Sequence, residues 1–171
     1  MKKIILTVFA VSSLILYSTQ AFALINFSIG VPLSHTFSDA DVESDGVSGT
    51  FIQVGVPMLP GLGLDSYKTK IKDSTIELAT MIYNLYYQLP IPIINLTLGV
   101  GTGSTELQCA ACSVFDKGTV SQWYASVGMP IIPLFDLHLS YRSVSSKIKD
   151  SSGGESDVGG NVTGVGIGFN F

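Results

Sequence analysis

Charge is what this sequence has least of. Asp, Glu, Lys and Arg make up 13% of its 171 residues, about half the share usual in soluble domains. Basic residues are the scarcer kind, nine Lys and Arg against thirteen Asp and Glu, which excludes the basic footprint of a nucleic-acid partner. There is no phosphate-cradling glycine loop; the glycines at 99, 101 and 103 alternate as in a strand. What is present is apolar, with 46% hydrophobic residues and a mean hydropathy of +0.44. That composition argues against disorder and against an ordinary soluble domain, and the length suits one domain. A secreted or membrane protein remains.

The first 23 residues stand apart. Met1-Lys2-Lys3 is a short basic start, Ile4 to Tyr17 is apolar, and Ala21-Phe22-Ala23 supplies a small-x-small site. This is the layout of a cleaved secretory signal peptide, and the apolar run is shorter than the roughly 20 residues a spanning helix needs. Residues 1–23 are therefore expected to be removed, leaving 24–171 as a single unit. Without Lys2 and Lys3, seven basic residues face thirteen acidic ones, a net charge of −6.

The remaining charges cluster in four blocks, Asp39 to Asp45, Asp65 to Glu77, Glu106 to Lys117 and Asp136 to Asp157. Charge-free stretches separate them at 46–64, 78–105, 118–135 and 158–171. The longest could pass for a membrane helix, but Pro90 and Pro92 would break its hydrogen bonding twice. Pro57 and Pro60, and Pro130 and Pro133, punctuate two of the others in the same way. Each of these three stretches is two strands joined by a tight turn.

Periodicity agrees. Thr163, Val165, Ile167, Phe169 and Phe171 alternate with Gly164, Gly166, Gly168 and Asn170; Ile25 to Leu33, Ile94 to Val100 and Phe135 to Tyr141 alternate likewise. Period two gives a strand one apolar and one polar face. Eight strands are expected, at about 25–34, 50–58, 61–69, 75–89, 93–103, 118–129, 134–144 and 160–171, most near the 9–11 residues that cross a bilayer at a tilt. In the fourth, Ile76, Leu78 and Ile82 share one parity and Tyr83 to Leu89 the other, which suggests a bulge near Met81–Tyr83.

The non-apolar face carries Gly, Ser, Asn, Thr, Gln53 and Gln122, with Tyr67 and Tyr124 among its few large members. Such a face suits a narrow lumen and the apolar one suits lipid. The fold class is therefore all-β, an eight-stranded antiparallel up-and-down transmembrane barrel, the sheet form that satisfies every backbone group in a bilayer. Phe27, Tyr87, Trp123, Phe135, Tyr141, Phe169 and Phe171 fall on the lipid side. Asp65, Glu77, Asp136, His138 and Arg142 form the candidate polar network of the lumen. Asp136 and Arg142 share the inward parity, where an ion pair or network would offset their desolvation. The short proline turns belong on the periplasmic side, and the charged loops, about 35–49, 70–74, 104–117 and 145–159, face outward.

With these features the chain resembles the small eight-stranded outer-membrane β-barrel proteins of Gram-negative bacteria, the OmpA/OmpX-like superfamily. The carriers are the signal segment, Val165-Gly166-Ile167-Gly168-Phe169-Asn170-Phe171, Leu137-His138-Leu139-Ser140-Tyr141-Arg142-Ser143 and Asn84-Leu85-Tyr86-Tyr87. The resemblance implies the barrel fold and export to the outer membrane; a monomer among outer-membrane lipid and lipopolysaccharide, with no cofactor, is the expectation. The resemblance also implies that Ile167, Phe169 and Phe171 are the signal read by the barrel assembly machinery. Its members include anchors, adhesins, narrow channels and lipid-modifying enzymes, so fold alone does not choose a function.

Three motifs bear on that choice. Cys109 and Cys112 flank two alanines in the third outer loop, and in an oxidising compartment a small-loop disulfide is the expected product; a redox site would need a helix N-terminus and a metal site a neighbouring histidine. Asp39, Asp41, Glu43 and Asp45 resemble the start of a calcium loop, but Ile52 stands where the closing Glu belongs, so no metal site is assigned. His138 and Ser140, with Glu155 downstream, resemble the arrangement of lipid A deacylases, yet Tyr141 stands where that motif has Asn and the pair faces the lumen. The expectation is a non-enzymatic barrel, plugged by side chains, with a structural or surface-interaction role through its loops. A narrow channel is the alternative and a lipid A hydrolase the remoter one.

Overall fold

The computed structural model describes residues 25–91, 94–109, 117–132, 134–149 and 155–170. The segment 1–23, Cys112 and Phe171, on which parts of the sequence reading rest, lie outside these residues. Nine strands are found among them: β1 (Asn26–Phe37), β2 (Ser44–Gly55), β3 (Gly61–Ile71), β4 (Glu77–Pro90), β5 (Asn95–Gln108), β6 (Gly118–Ile132), β7 (Phe135–Lys149), β8 (Glu155–Asp157) and β9 (Gly160–Asn170). All pairings are antiparallel and join sequence neighbours around the sheet, β1 to β2 and onward through β6 to β7. β9 then pairs with both β7 and β1, closing the sheet into a barrel. The three-residue β8 also pairs with β7, above β9, so β8 and β9 together make the eighth stave.

The strands carry 11 to 15 residues, the short β8 aside, more than the roughly 9–11 that cross a bilayer. Several expected loops are therefore shorter in the structure: β1 runs on to Phe37, β5 to Gln108 and β7 to Lys149. The ladders continue into these extensions, as between β4 and β5 up to Glu77↔Gln108 and between β7 and β8 up to Lys149↔Glu155.

The expected bulge near Met81–Tyr83 does not form. β4 keeps unbroken register with β3 from Lys70↔Glu77 to Gly61↔Tyr86 and with β5 along its whole length. Leu78 and Ile82 are simply inward and buried, together with Asn84 and Tyr86. The register shifts lie elsewhere, between Ser44 and Val47 of β2, between Pro130 and Ile132 of β6, and in β1, where Pro32 pairs with Gly164 and Ser34 with Thr163, leaving Leu33 as an extra residue. Proline has no N–H to give the ladder, so a strand accommodates it at a bulge. Beyond it the faces swap, and His35 and Phe37 turn inward.

Outward positions carry the large exposed apolar side chains, among them Ile29, Leu62, Tyr83, Leu85, Val100, Trp123, Ile131 and Leu139. Phe27, Phe135 and Phe169 meet on this face across the β1–β9–β7 seam, with ring centroids 6.2 and 5.0 Å apart. No helix among the described residues is long and apolar enough to cross a membrane.

Candidate functional site in the barrel lumen

Strand β7 gives the lumen its coordinate. From the short-turn end to the long-loop end its inward residues are Asp136, His138, Ser140, Arg142, Val144, Ser146 and Ile148, and the other strands follow the same sequence of layers. The lowest layer is an amide network. Asn95 Nδ2 and Asn170 Nδ2 both donate to Asp136 Oδ2, the latter at 2.7 Å. Tyr86 donates its hydroxyl to Asn26 Oδ1 at 3.0 Å, and Asn26 donates to Gln88 at 2.6 Å.

Arg142 dominates the next layer. Its Nε donates to Asp65 Oδ2 at 3.0 Å and its Nη2 to Asp65 Oδ1 at 3.5 Å, across the lumen from β7 to β3. Nη1 donates to Ser140, which donates to the Gly164 carbonyl at 3.2 Å. The guanidinium carbon lies 3.6 Å from the Phe51 ring centroid and 5.0 Å from that of Tyr124, a doubled cation–π contact. Gln122 Nε2 donates to both Asp65 and Asn84 at 2.6 Å, and Gln53 donates to the Tyr124 hydroxyl at 2.8 Å. Asp65 and Arg142 are both almost fully buried, so the two charges must neutralise one another without water, with Gln122 donating a further hydrogen bond to the carboxylate.

Above lies an apolar layer. Phe51, Tyr67, Ile82, Val120, Val144 and Val162, from six of the eight staves, pack into one buried cluster. A hydroxyl layer follows, with Thr80 bonded to Thr105 at 3.0 Å and His35 Nδ1 2.8 Å from the Thr69 hydroxyl. A second apolar cluster of Phe37, Leu78 and Ile148, joined by Val42, Ile71, Leu107 and Val158, closes the long-loop end. The charged and amide side chains of the lumen thus lie in its lower half, and two apolar layers with hydroxyls between them fill the upper half. The expected small polar interior is corrected here: apolar residues on the inward parity make two of the layers.

The glycines complete the packing. A Cβ at Gly99 would overlap the Tyr124 ring, one at Gly61 the Tyr86 ring, and ones at Gly128 and Gly168 the His138 ring. Two cavities of about 20 Å³ remain in the lower half, each with space for about one water. Ser28, Gln53 and His138 border both.

Of the five expected network residues, the structure brings Asp65 and Arg142 together and places Asp136 and His138 below them. Arg142 takes Asp65 as its partner and not Asp136. Glu77 is corrected: it is on the outward face of β4, 3.6 Å from Lys68 of β3, because the unbroken register of β4 fixes its parity. His138 and Ser140 both border one of the two cavities. Asn84, Asn95, Asn170 and Phe51 were not anticipated; their signal was inward parity alone. At the long-loop end Glu43 is paired with Lys72, whose hydrogen bond and charge hold the Glu43 carboxyl below its usual range. Lys117 and Glu106 pair at 2.9 Å. Cys109 follows directly on β5 and is not a free thiol.

No protein-family model matches the chain, and no curated protein matches it. Solved structures do. Neisserial surface protein A is 13% identical with a TM-score of 0.61, covering 86% of this chain and 96% of that one. The N-terminal β-barrel domain of Pseudomonas aeruginosa OprF is 12% identical at 0.57, covering 87% and 98%. Ail, the attachment invasion locus protein of Yersinia pestis, is 18% identical at 0.51, covering 86% and 97%. At these identities the likeness establishes the fold, a small closed barrel of the outer-membrane type.

Proposed function

We propose that the protein is an integral outer-membrane barrel whose lumen is closed by its own side chains and whose working surface is the set of long outer loops, in a structural or surface-interaction role. The observation that carries this reading is the layered lumen. Two apolar clusters lie across the path of any polar solute, and the cavities beneath them admit about one water each. An eight-stranded barrel has an interior that side chains can fill. The exposed apolar belt supports placement in a bilayer, and the like-folded outer-membrane barrels support the outer membrane in particular. Outer-membrane lipid and lipopolysaccharide are then the immediate partners, and the loop ends, with Asp39 to Asp45 and the Cys109 loop, are the surface offered to an extracellular one.

Solute flux through liposomes holding the refolded chain tests the closed lumen. Flux no greater than that of empty liposomes is the expected result; flux well above it would replace this reading with the narrow channel. Deleting 39–45 or 109–116 should abolish binding to cells or to a partner while the barrel still folds. A loop-deleted barrel that binds as well as the parent would sink the surface role.

A further inference from the structure

Every lysine and arginine among the described residues stands in the long-loop half or beside it: Lys68, Lys70, Lys72, Lys117, Arg142, Lys147 and Lys149. Asp136 is at the opposite end, second in β7, and only 3% exposed. Six residues of strand, about 20 Å, separate it from Arg142, which Asp65 already engages. The groups that hold Asp136 are the amides of Asn95 and Asn170, both on the same oxygen. Neutral donors orient a carboxylate without neutralising it, and a buried charge needs a counter-charge. One of the 20 Å³ cavities borders Asp136, with oxygen-bearing Ser28, Tyr86, Gln88 and Thr97 around it.

We propose that this cavity binds one small monovalent cation, with Asp136 as its charged ligand and the neutral oxygens completing its shell. One carboxylate matches a single positive charge, whereas calcium sites draw on six to eight oxygens and usually several carboxylates. The space of about one water suits an ion of sodium or potassium size. His138, on the same face two residues along and also bordering the cavity, is the other group able to supply positive charge. This inference does not depend on the surface role proposed above.

Protein extracted from outer membranes in detergent is titrated with sodium chloride against N-methylglucamine chloride at constant ionic strength, and the urea midpoint is followed by Trp123 fluorescence. The midpoint rises with sodium and saturates, as it must for a ligand of the folded state alone. Asp136→Asn gives a flat titration, and Thr97→Val moves half-saturation to higher sodium. A parent midpoint indifferent to sodium overturns the proposal, and so does an Asp136→Asn variant that keeps the whole response. A midpoint that ignores sodium, falls as pH rises through the histidine range and loses that dependence in His138→Gln assigns the counter-charge to His138 and overturns it too. Should Asp136→Asn fail to assemble, the parent titration and Thr97→Val still decide.

Discussion

Arg142 is held by a carboxylate, a serine hydroxyl and two aromatic faces, and each contact bears on what its removal does. Arg142→Ala leaves Asp65 buried beside Gln122 with no countercharge, so a loss of roughly 3–5 kcal/mol is expected, read as a lower urea midpoint. Replacing both partners, Asp65→Leu with Arg142→Met, removes the charge from each side and should cost far less than the single change. A double variant as unstable as Arg142→Ala would show that the aromatic packing of the guanidinium, and not the charge pair, is what matters. From the sequence, Asp65 and Arg142 are legible as strand charges in need of a partner. Their pairing is not, because 77 residues separate them and only the closed barrel sets β3 across from β7.

Among the elements, β1 shows how one residue governs a stave. Leu33 is the inserted residue of its bulge, and the parity swap that follows sends His35 and Phe37 to the lumen. Inserting one residue between Ser34 and His35 should reverse the parity that follows the bulge and turn both side chains to the outer face, emptying positions in the hydroxyl layer and the upper apolar cluster. Loss of the compact, heat-sensitive gel form is the expected outcome. Neighbouring staves are matched in size as well. Gly99 of β5 faces Tyr124 of β6, so Gly99→Ala should destabilise by about 1–3 kcal/mol, the usual cost of overpacking. Combined with Tyr124→Ser it should cost less than the sum of the two single changes, since residues in contact are not additive. The periodicity of β5, β7 and β9 makes these strands plain in the sequence. The mixed parity of β4 looks like a bulge only on the premise that apolar side chains face lipid, and the apolar layers of the lumen remove that premise.

For the whole molecule, the decisive feature is a closed wall around a graded interior: amides and a carboxylate, a charge pair, an apolar layer, hydroxyls, an apolar cap. If the apolar layer is the barrier, thinning it should open a path that the parent lacks. Phe51→Ala with Tyr67→Ala removes its two aromatic members, and ion flux through liposomes should rise above that of the parent. An unchanged flux in a folded variant would place the barrier at the upper cluster of Phe37, Leu78 and Ile148, for which Phe37→Ala is the matching test. Outside this graded interior the lysines gather at the long-loop rim, where Lys68, Lys72, Lys117 and Lys147 each meet a glutamate.

Alternation, proline-marked turns and clustered charges are local properties. They determined by themselves that the chain forms a membrane-type barrel, where along the chain its staves lie, though not how far β2, β5 and β7 reach toward the long loops, and that Arg142 and Asp136 point inward. A strand's period of two is a fact about adjacent residues, so the sequence shows it directly. The tertiary structure alone decided which inward side chains meet, where the register shifts fall, and that two apolar layers cross the upper half of the lumen. Each of those depends on staves far apart in the chain arriving at the same height, and that height is set by register and closure around the whole barrel.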